Sequence, residues 1–477
     1  MSAEDHGPAA ALESSLAGAL YGTLGAVEVS ALHRMTGGAS RETWSHDATD
    51  TRGVVHELVL RRDPPARPGA PGAMRREAAT MRAATQAGLP VPEVLVEFEE
   101  PSPWGGAGMV MRRVGGETIA RRILRDDRYA TARPLLAAQC GSALAALHGV
   151  DPEVVPGLVD TDPLALLRAL LDSLDEPVPT FEYALQWLQQ HRPDPVGRSI
   201  VHGDFRLGNL IVDESGLRAV LDWELVHVGD PIEDLGWLCV KAWRFGAAPA
   251  VGGFGSRREL IDAYVAAGGS PVGLETLRWW EVQGTLRWGA ICLMQSAVHL
   301  RGDLRSVELA AIGRRVCETE WDLLLLLEPA SARVALDHHL STVADTTPDG
   351  VGADIDAGAS DGGVHGRPTS AELVTAVREF LAEQVMPATE GALSFHARVA
   401  ANVLGMVERE LAGAGEQEPL RADGLGRLGI TSERELCEMI RQQGVGGREQ
   451  DLIEVLASGV VTRVSVANPE YLSIPAG

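Results

Sequence analysis

The stretch VHGDFRLGNLIV, residues 201–212, sets an aspartate, an arginine and an asparagine in a loop that runs into an apolar strand, and a second aspartate follows in LDWE. Asp204, Arg206, Asn209 and Asp222 are the residue types that phosphoryl transfer asks for. That chemistry needs a carboxylate to take a hydroxyl proton, an amide oxygen and a second carboxylate to hold a divalent cation, and a fixed positive charge for the transferred phosphate. Two apolar runs, LIV and LRAVL, flank DESG, so the segment reads as a β-hairpin. If its centre falls between Ser215 and Gly216 and no bulge intervenes, Asn209 and Asp222 stand opposite each other across the ladder. Cβ atoms of opposed residues are about 4.5–5.5 Å apart, close enough for both to reach one Mg²⁺, which prefers oxygen ligands.

Taken singly, these residues say little. An HGD tripeptide is ordinarily a turn, an aspartate after a strand is ordinarily a cap, and His202 reads as a residue that holds the loop by hydrogen bonds. The spacings together carry the reading. Asn209 follows Asp204 by five residues, the step found in the catalytic loop H-R-D-x-x-x-x-N of protein kinases, here His202-Gly203-Asp204-Phe205-Arg206-Leu207-Gly208-Asn209.

The elements that must position this loop can be read from periodicity. Leu12, Leu16 and Leu20 have helical spacing within residues 9–24. VEVSALHRM, RETWSH and VVHELVLRR read as three strands, the first two separated by the turn TGGAS. MRREAATMRAATQAG is helical and closes at Gly88. LPVPEVLVEFEE and GAGMVMRRV add two strands. Residues 25–114 therefore form a five-stranded antiparallel sheet with one helix inserted after the third strand. Residues 117–195 and 256–328 are helical. Residues 341–366 lack periodicity and are rich in Gly, Asp, Ala and Thr, as a flexible acidic linker would be. The remainder is helical again, with Ser432 and Glu435 spaced as a capping box.

The totals narrow the field. At 477 residues the chain exceeds one hydrophobic core, and its net charge of −24 would repel a nucleic acid. No apolar run approaches the roughly 20 residues that span a bilayer. The acidic N-terminus MSAEDHGPAA lacks the apolar segment of a secretion signal, and the cysteine usage is that expected of a cytoplasmic protein. The five cysteines are scattered without a CxxC spacing and read as reduced core residues. Lysine occurs once, at Lys241, so any fixed cation elsewhere must be an arginine.

HGDFRLGN, LDWE and GDPIEDLGWLC together resemble the aminoglycoside phosphotransferase-like, or choline-kinase-like, family of small-molecule kinases, over roughly residues 20–330. The resemblance implies an α+β, bilobal protein-kinase-like fold: an N-lobe at 1–114 and a mainly helical C-lobe at 115–340. The linker at 341–366 and an additional small helical domain at 367–477 follow. It also implies ATP or GTP as phosphate donor, Mg²⁺, and a small hydroxylated acceptor. On matching positions, Asp204 is the catalytic base, and Asn209 and Asp222 hold metal; Arg206, two residues after the base, is placed by its own position to reach the γ-phosphate and stabilise its developing charge. Asp234 matches the family's structural aspartate, and its own context reads as a helix start or loop anchor. Gly37, Gly38 and Ser40 fall in the turn that would cover the phosphates, and Met111 in the strand that would meet the nucleotide base. The family places a lysine on the third strand, paired with a glutamate on the next helix. Here Arg61 stands in that place with Glu77 as partner, and arginine does not replace lysine without consequence. LDWELVHVGDPIEDLGWLCVKAWRFG looks especially like kinases encoded with, or fused to, acyl-CoA dehydrogenases. That favours a hydroxyacyl-CoA or related metabolic alcohol over an aminoglycoside, with Trp237, Trp243, Arg244, Arg287 and Trp288 as candidate acceptor contacts. The alternative is a pseudokinase or nucleotide-binding module that docks a dehydrogenase partner through its C-terminal domain, where Arg398 and Asn402 lie one helical turn apart.

Overall fold

The computed structural model describes residues 6–35, 41–64, 69–99, 102–346, 368–442 and 447–473, and these divide into two compact units. Unit 1 holds residues 1–162 and 193–281; unit 2 holds 163–192 and 282–477.

Unit 1 begins with the helix His6–Leu24 and a five-stranded antiparallel sheet. The strands are β1 (Val27–Arg34), β2 (Glu42–Asp50), β3 (Val55–Arg62), β4 (Val94–Phe98) and β5 (Gly108–Arg112), in spatial order β1-β2-β3-β5-β4. Alternation along β3 sorts its side chains. Leu58 and Leu60 pack with Leu12, Leu16 and Leu20 of the first helix in one core. Arg61 therefore projects from the opposite face, where the helix Ala73–Gln86 supplies buried Glu77. Gly88 follows this helix with a positive φ of 88°, the conformation expected of a C-terminal glycine.

The rest of unit 1 is built around two short ribbons, β6 (Ser199–Val201) with β9 (His227–Gly229) and β7 (Leu210–Asp213) with β8 (Gly216–Val220). The β7–β8 hairpin departs from the expected register. Asp213 pairs with Gly216, so the turn is Glu214–Ser215, and the register shifts between Ile211 and Val212. This bulge pairs Leu210 with Val220, and the Leu221 amide donates to the Asn209 carbonyl at 2.8 Å. Asn209 thus faces Leu221, and Asp222 lies one residue beyond rather than directly opposite.

Unit 2 is helical. The helix Val316–Leu327 is buried on nearly all sides, including Glu318, Glu320 and Asp322. Trp321 and Leu324 pack with Leu436, Leu456, Val460 and Val464 in a single core. Its buried acids have partners in the C-terminal helices: Arg463 grips Glu320 through two contacts of 2.7 and 3.1 Å, Asn468 donates to Glu318 at 2.9 Å, and Tyr471 donates to Asp322 at 2.6 Å. The packing division therefore differs from a boundary at 341–366: helices on either side of that stretch share one core. Ser432 caps the helix Glu433–Arg441 through the Glu435 amide, but the Glu435 carboxylate accepts from Thr431 rather than closing a capping box. Arg398 lies over Phe395, its guanidinium 5.3 Å from the ring centroid. All five cysteines are free, buried thiols. No helix among the described residues is long and apolar enough to cross a membrane.

Candidate active site

The loop 202–209 is held from beneath by a fully buried carboxylate. Asp234, in the helix Ile232–Cys239, accepts hydrogen bonds from the backbone amides of His202 and Gly203 at 2.8 and 2.9 Å. His148 Nε2 lies 3.2 Å from the same carboxylate, and His148 Nδ1 is 3.1 Å from the Tyr264 hydroxyl. Burial alone would push the Asp234 carboxyl up, but hydrogen bonding and charge from His148 and the loop amide outweigh it and hold the group below its usual range. Asp234 is thus the loop anchor its sequence context suggested. Gly203 has φ of 79°, and a Cβ there would stand 2.6 Å from the Leu225 carbonyl, so this turn needs glycine.

His202 is also buried and structural. Its Nδ1 accepts from the Asp204 amide at 3.1 Å, which assigns the proton to Nε2, the atom that donates to the Leu221 carbonyl at 3.0 Å. Its ring lies 4.6 Å from that of Trp223.

On this base, three donors converge on the Asp204 carboxylate. Arg206 Nε and Trp237 Nε1 both reach Oδ1, at 2.9 and 2.8 Å, and Asn209 Nδ2 reaches Oδ2 at 2.6 Å. Asn209 Nδ2 also donates to the Asp204 carbonyl at 3.0 Å. With its NH₂ committed in this way, the amide presents Oδ1 as its remaining ligand atom. The Arg206 guanidinium rests over Trp243, 4.7 Å from the ring centroid, and occupies the space that a side chain at Gly208 would need.

Asp222 follows β8 in a left-handed conformation, φ 66°, which aspartate tolerates better than most residues. Its Oδ1 accepts from Arg61 Nη2 at 2.5 Å, and Glu224 lies 3.3 Å from the same nitrogen. Arg61 Nη1 in turn holds Glu77 Oε1 at 2.6 Å. The expected Arg61–Glu77 pair is therefore present, and it extends to Asp222. Arg41, not foreseen, binds the other oxygen of Glu77 and holds Asp63 at 2.9 Å. The signal for it was available: with no lysine in this lobe, the arginine closing the glycine turn was the other candidate cation.

Gly37, Gly38 and Ser40 lie outside the described residues. Met111 is inside the sheet, paired with Val59 of β3 and Val94 of β4. Its N–H and C=O point along one ladder, toward a neighbouring strand, and the chain leaves the sheet only beyond Arg113, whose amide still donates to Glu57. Arg244, considered as an acceptor contact, is 2% exposed and bound to Glu281 at 3.0 Å and to the Cys239 carbonyl, so it is a packing residue.

For a divalent cation, Asn209 Oδ1 and the Asp222 carboxylate are hard oxygen donors at the mouth of one hairpin, and a magnesium ion fits that donor chemistry. Asn209 and Asp222 would hold it, and Arg61 would have to share or leave Asp222.

A five-stranded sheet with a buried arginine–glutamate pair, joined to an anchored loop bearing Asp, Arg and Asn, defines a protein of the kinase-like phosphotransfer class. Residues 32–280 match the Phosphotransferase enzyme family, and the chain belongs to that family. Residues 387–471 match a domain of unknown function, DUF6285. Mouse acyl-CoA dehydrogenase family member 10 is 31% identical over 214 residues, 42% of this chain and 20% of that protein. Chicken acyl-CoA dehydrogenase family member 11 is 31% identical over 176 residues, 34% of this chain and 22% of that protein. The chain thus spans about a fifth of the length of these relatives. Among solved structures, a protein from Ralstonia eutropha provisionally assigned as an aminoglycoside phosphotransferase aligns with a TM-score of 0.52 at 23% identity, covering 65% of this chain and 95% of that one. This last likeness concerns the fold.

Proposed function

We propose that the protein transfers the γ-phosphoryl group of ATP to the hydroxyl of a small molecule, in the presence of Mg²⁺. The carrying observation is the Asp204 carboxylate, fixed by three donors on a loop whose own backbone is clamped by Asp234. In this reading Asp204 orients the acceptor hydroxyl and takes its proton as the oxygen forms its bond to phosphorus and the bond to the leaving diphosphate breaks. Arg206 uses Nε for Asp204, which leaves both Nη groups for the developing charge on the transferred phosphoryl oxygens. Arg61, oriented by Glu77, contacts the donor phosphates; being planar, it meets two oxygens at once. Asn209 and Asp222 would hold magnesium, which would supply charge to offset that of the donor phosphates.

For the acceptor we favour a hydroxyacyl-CoA or a related metabolic alcohol over an aminoglycoside. The support is the run of relatives named as acyl-CoA dehydrogenases, together with the aromatic and cationic residues, Trp237, Trp243 and Arg206, gathered beside Asp204. The test is ADP production from Mg-ATP with hydroxyacyl-CoA esters and aminoglycosides offered side by side. Turnover with the esters alone is the expected result. Binding of Mg-ATP without transfer to any acceptor would instead favour a nucleotide-binding module that docks a dehydrogenase, a reading to which the Arg61–Asp222 ion pair, closed over a metal-ligand candidate, lends some weight.

A further inference from the structure

We infer that Trp237 is a positioning residue of this site, and that together with Arg206 it decides which oxygen of Asp204 receives the acceptor proton; the inference rests on the phosphotransfer reading above. Trp237 stands three residues after Asp234, nearly one helical turn along the helix Ile232–Cys239. One turn of helix thus carries both the group that clamps the loop backbone and the group that aims its carboxylate.

A carboxylate oxygen has two lone pairs. Oδ1 of Asp204 receives Trp237 Nε1 at 2.8 Å and Arg206 Nε at 2.9 Å, and is filled. Oδ2 receives Asn209 Nδ2 and keeps one lone pair. The proton of the acceptor hydroxyl therefore goes to Oδ2, while its oxygen bonds phosphorus and the diphosphate leaves with the electron pair of the broken P–O bond. Asp204 then returns the proton to solvent.

The two donors on Oδ1 are braced by one ring. Trp243 lies 5.2 Å from Trp237, tilted by 51°, and supports the Arg206 guanidinium on its face. Trp237 itself is 2% exposed. A tryptophan needed only to fill space would satisfy that burial whether or not it carried an N–H. The specific content of the inference is that the N–H matters.

The test replaces Trp237 with phenylalanine and, separately, with 3-benzothienylalanine, which keeps the indole shape and puts sulfur where the N–H was. The reaction is phosphate transfer from Mg-ATP to the alcohol found in the panel, or to water. Both variants should lower kcat about tenfold or more with the nucleotide KM unchanged. A benzothienyl variant with the wild-type kcat, beside an inactive Asp204→Ala, would remove Trp237 from the mechanism and leave the phosphotransfer reading standing. If Asp204→Ala turns over normally, that reading fails. The hydrogen bond is then still judged by the ¹⁵N-indole resonance of Trp237, which should move on Asp204→Asn; an unmoved resonance overturns the inference.

Discussion

Both compact units bury charged side chains, but they use them to different ends. In unit 2 the partners tie helix to helix: Arg463 to Glu320 and Glu433, Asn468 to Glu318, Tyr471 to Asp322, and Arg168 and Arg441 both to Glu182. Even a cavity of about 840 Å³ in this unit is lined by charges already engaged, Arg315 by Glu318, Arg378 by Glu408, and Arg409 by the carbonyls of Val466 and Ala467. In unit 1, donors converge on single acceptors, three on Asp204, and two arginines share Glu77. Ion pairs between helices fix which helix meets which. Convergent burial aims one group in one direction, and in the proposed mechanism the remaining lone pair of Asp204 Oδ2, Asn209 Oδ1 and the Nη groups of Arg206 would do the chemistry.

The largest effect that separates the two arrangements is Asp204→Ala. Loss of a general base costs about 10²–10⁴-fold in kcat, with nucleotide still bound and the folding of both units unchanged. Normal turnover in steady-state kinetics would end the assignment. Arg463→Ala does the reverse. Removing the half-exposed cation costs about 1.5–3 kcal/mol, because the Glu320 side chain, 3% exposed, is left without its charged partner. Denaturation midpoints should fall while kcat per folded molecule holds. An unaltered midpoint would mean that this pair does not secure the C-terminal helices.

Arg61→Ala comes next, and it probes where convergence meets the donor nucleotide. A charge-assisted contact to phosphate is worth about 1.5–3 kcal/mol, or about 10–100-fold in nucleotide KM. Asp222 would at the same time be released from its ion pair. A nucleotide KM equal to wild type would show that Arg61 ties the lobes together without touching phosphate.

How far all this was legible depends on the range of the interaction. The sheet was readable because alternation along β2 and β3 is a property of neighbours in sequence. The Arg61–Glu77 pair followed, since strand alternation and helix phase each put one partner on the facing surfaces. Asp204, Arg206 and Asn209 share one short loop, so their spacing was enough to expect their side chains together, as they are. The hairpin register was not readable: DESG allows more than one two-residue turn, and the bulge in β7–β8 moved Asn209 onto Leu221. The indole of Trp237 on Asp204 spans 33 residues and depends on how the helix Ile232–Cys239 seats against the loop, which no local pattern encodes. The division into units was hidden for the same reason, since the buried acids of Val316–Leu327 find their partners more than a hundred residues later.

The smallest effect is one of pH, and it again sets the units apart. His46 in β2 is 1% exposed and sits opposite Leu58 of β3. Burial pushes its ring down to about 4. Between its ordinary value near 6.5 and about 4, the unfolded chain takes up a proton that the folded lobe refuses. Stability therefore rises with pH across that window, is undiminished above it, and declines as the pH falls. The slope is about 1.4 kcal/mol per pH unit, or about 2 kcal/mol lost at pH 5. Protection factors of the β2 amides, the observed exchange divided into intrinsic rates that themselves fall toward low pH, should drop between pH 7 and pH 5, and His46→Gln should flatten that dependence. In unit 2, burial pushes the Glu182 carboxyl up, but hydrogen bonds from Arg168 and Arg441 outweigh it and hold the group below its usual range, so amides of Pro179–Gln190 should stay protected over the same range. Equal acid sensitivity in the two places, or a β2 response that survives His46→Gln, would assign the effect to some other group.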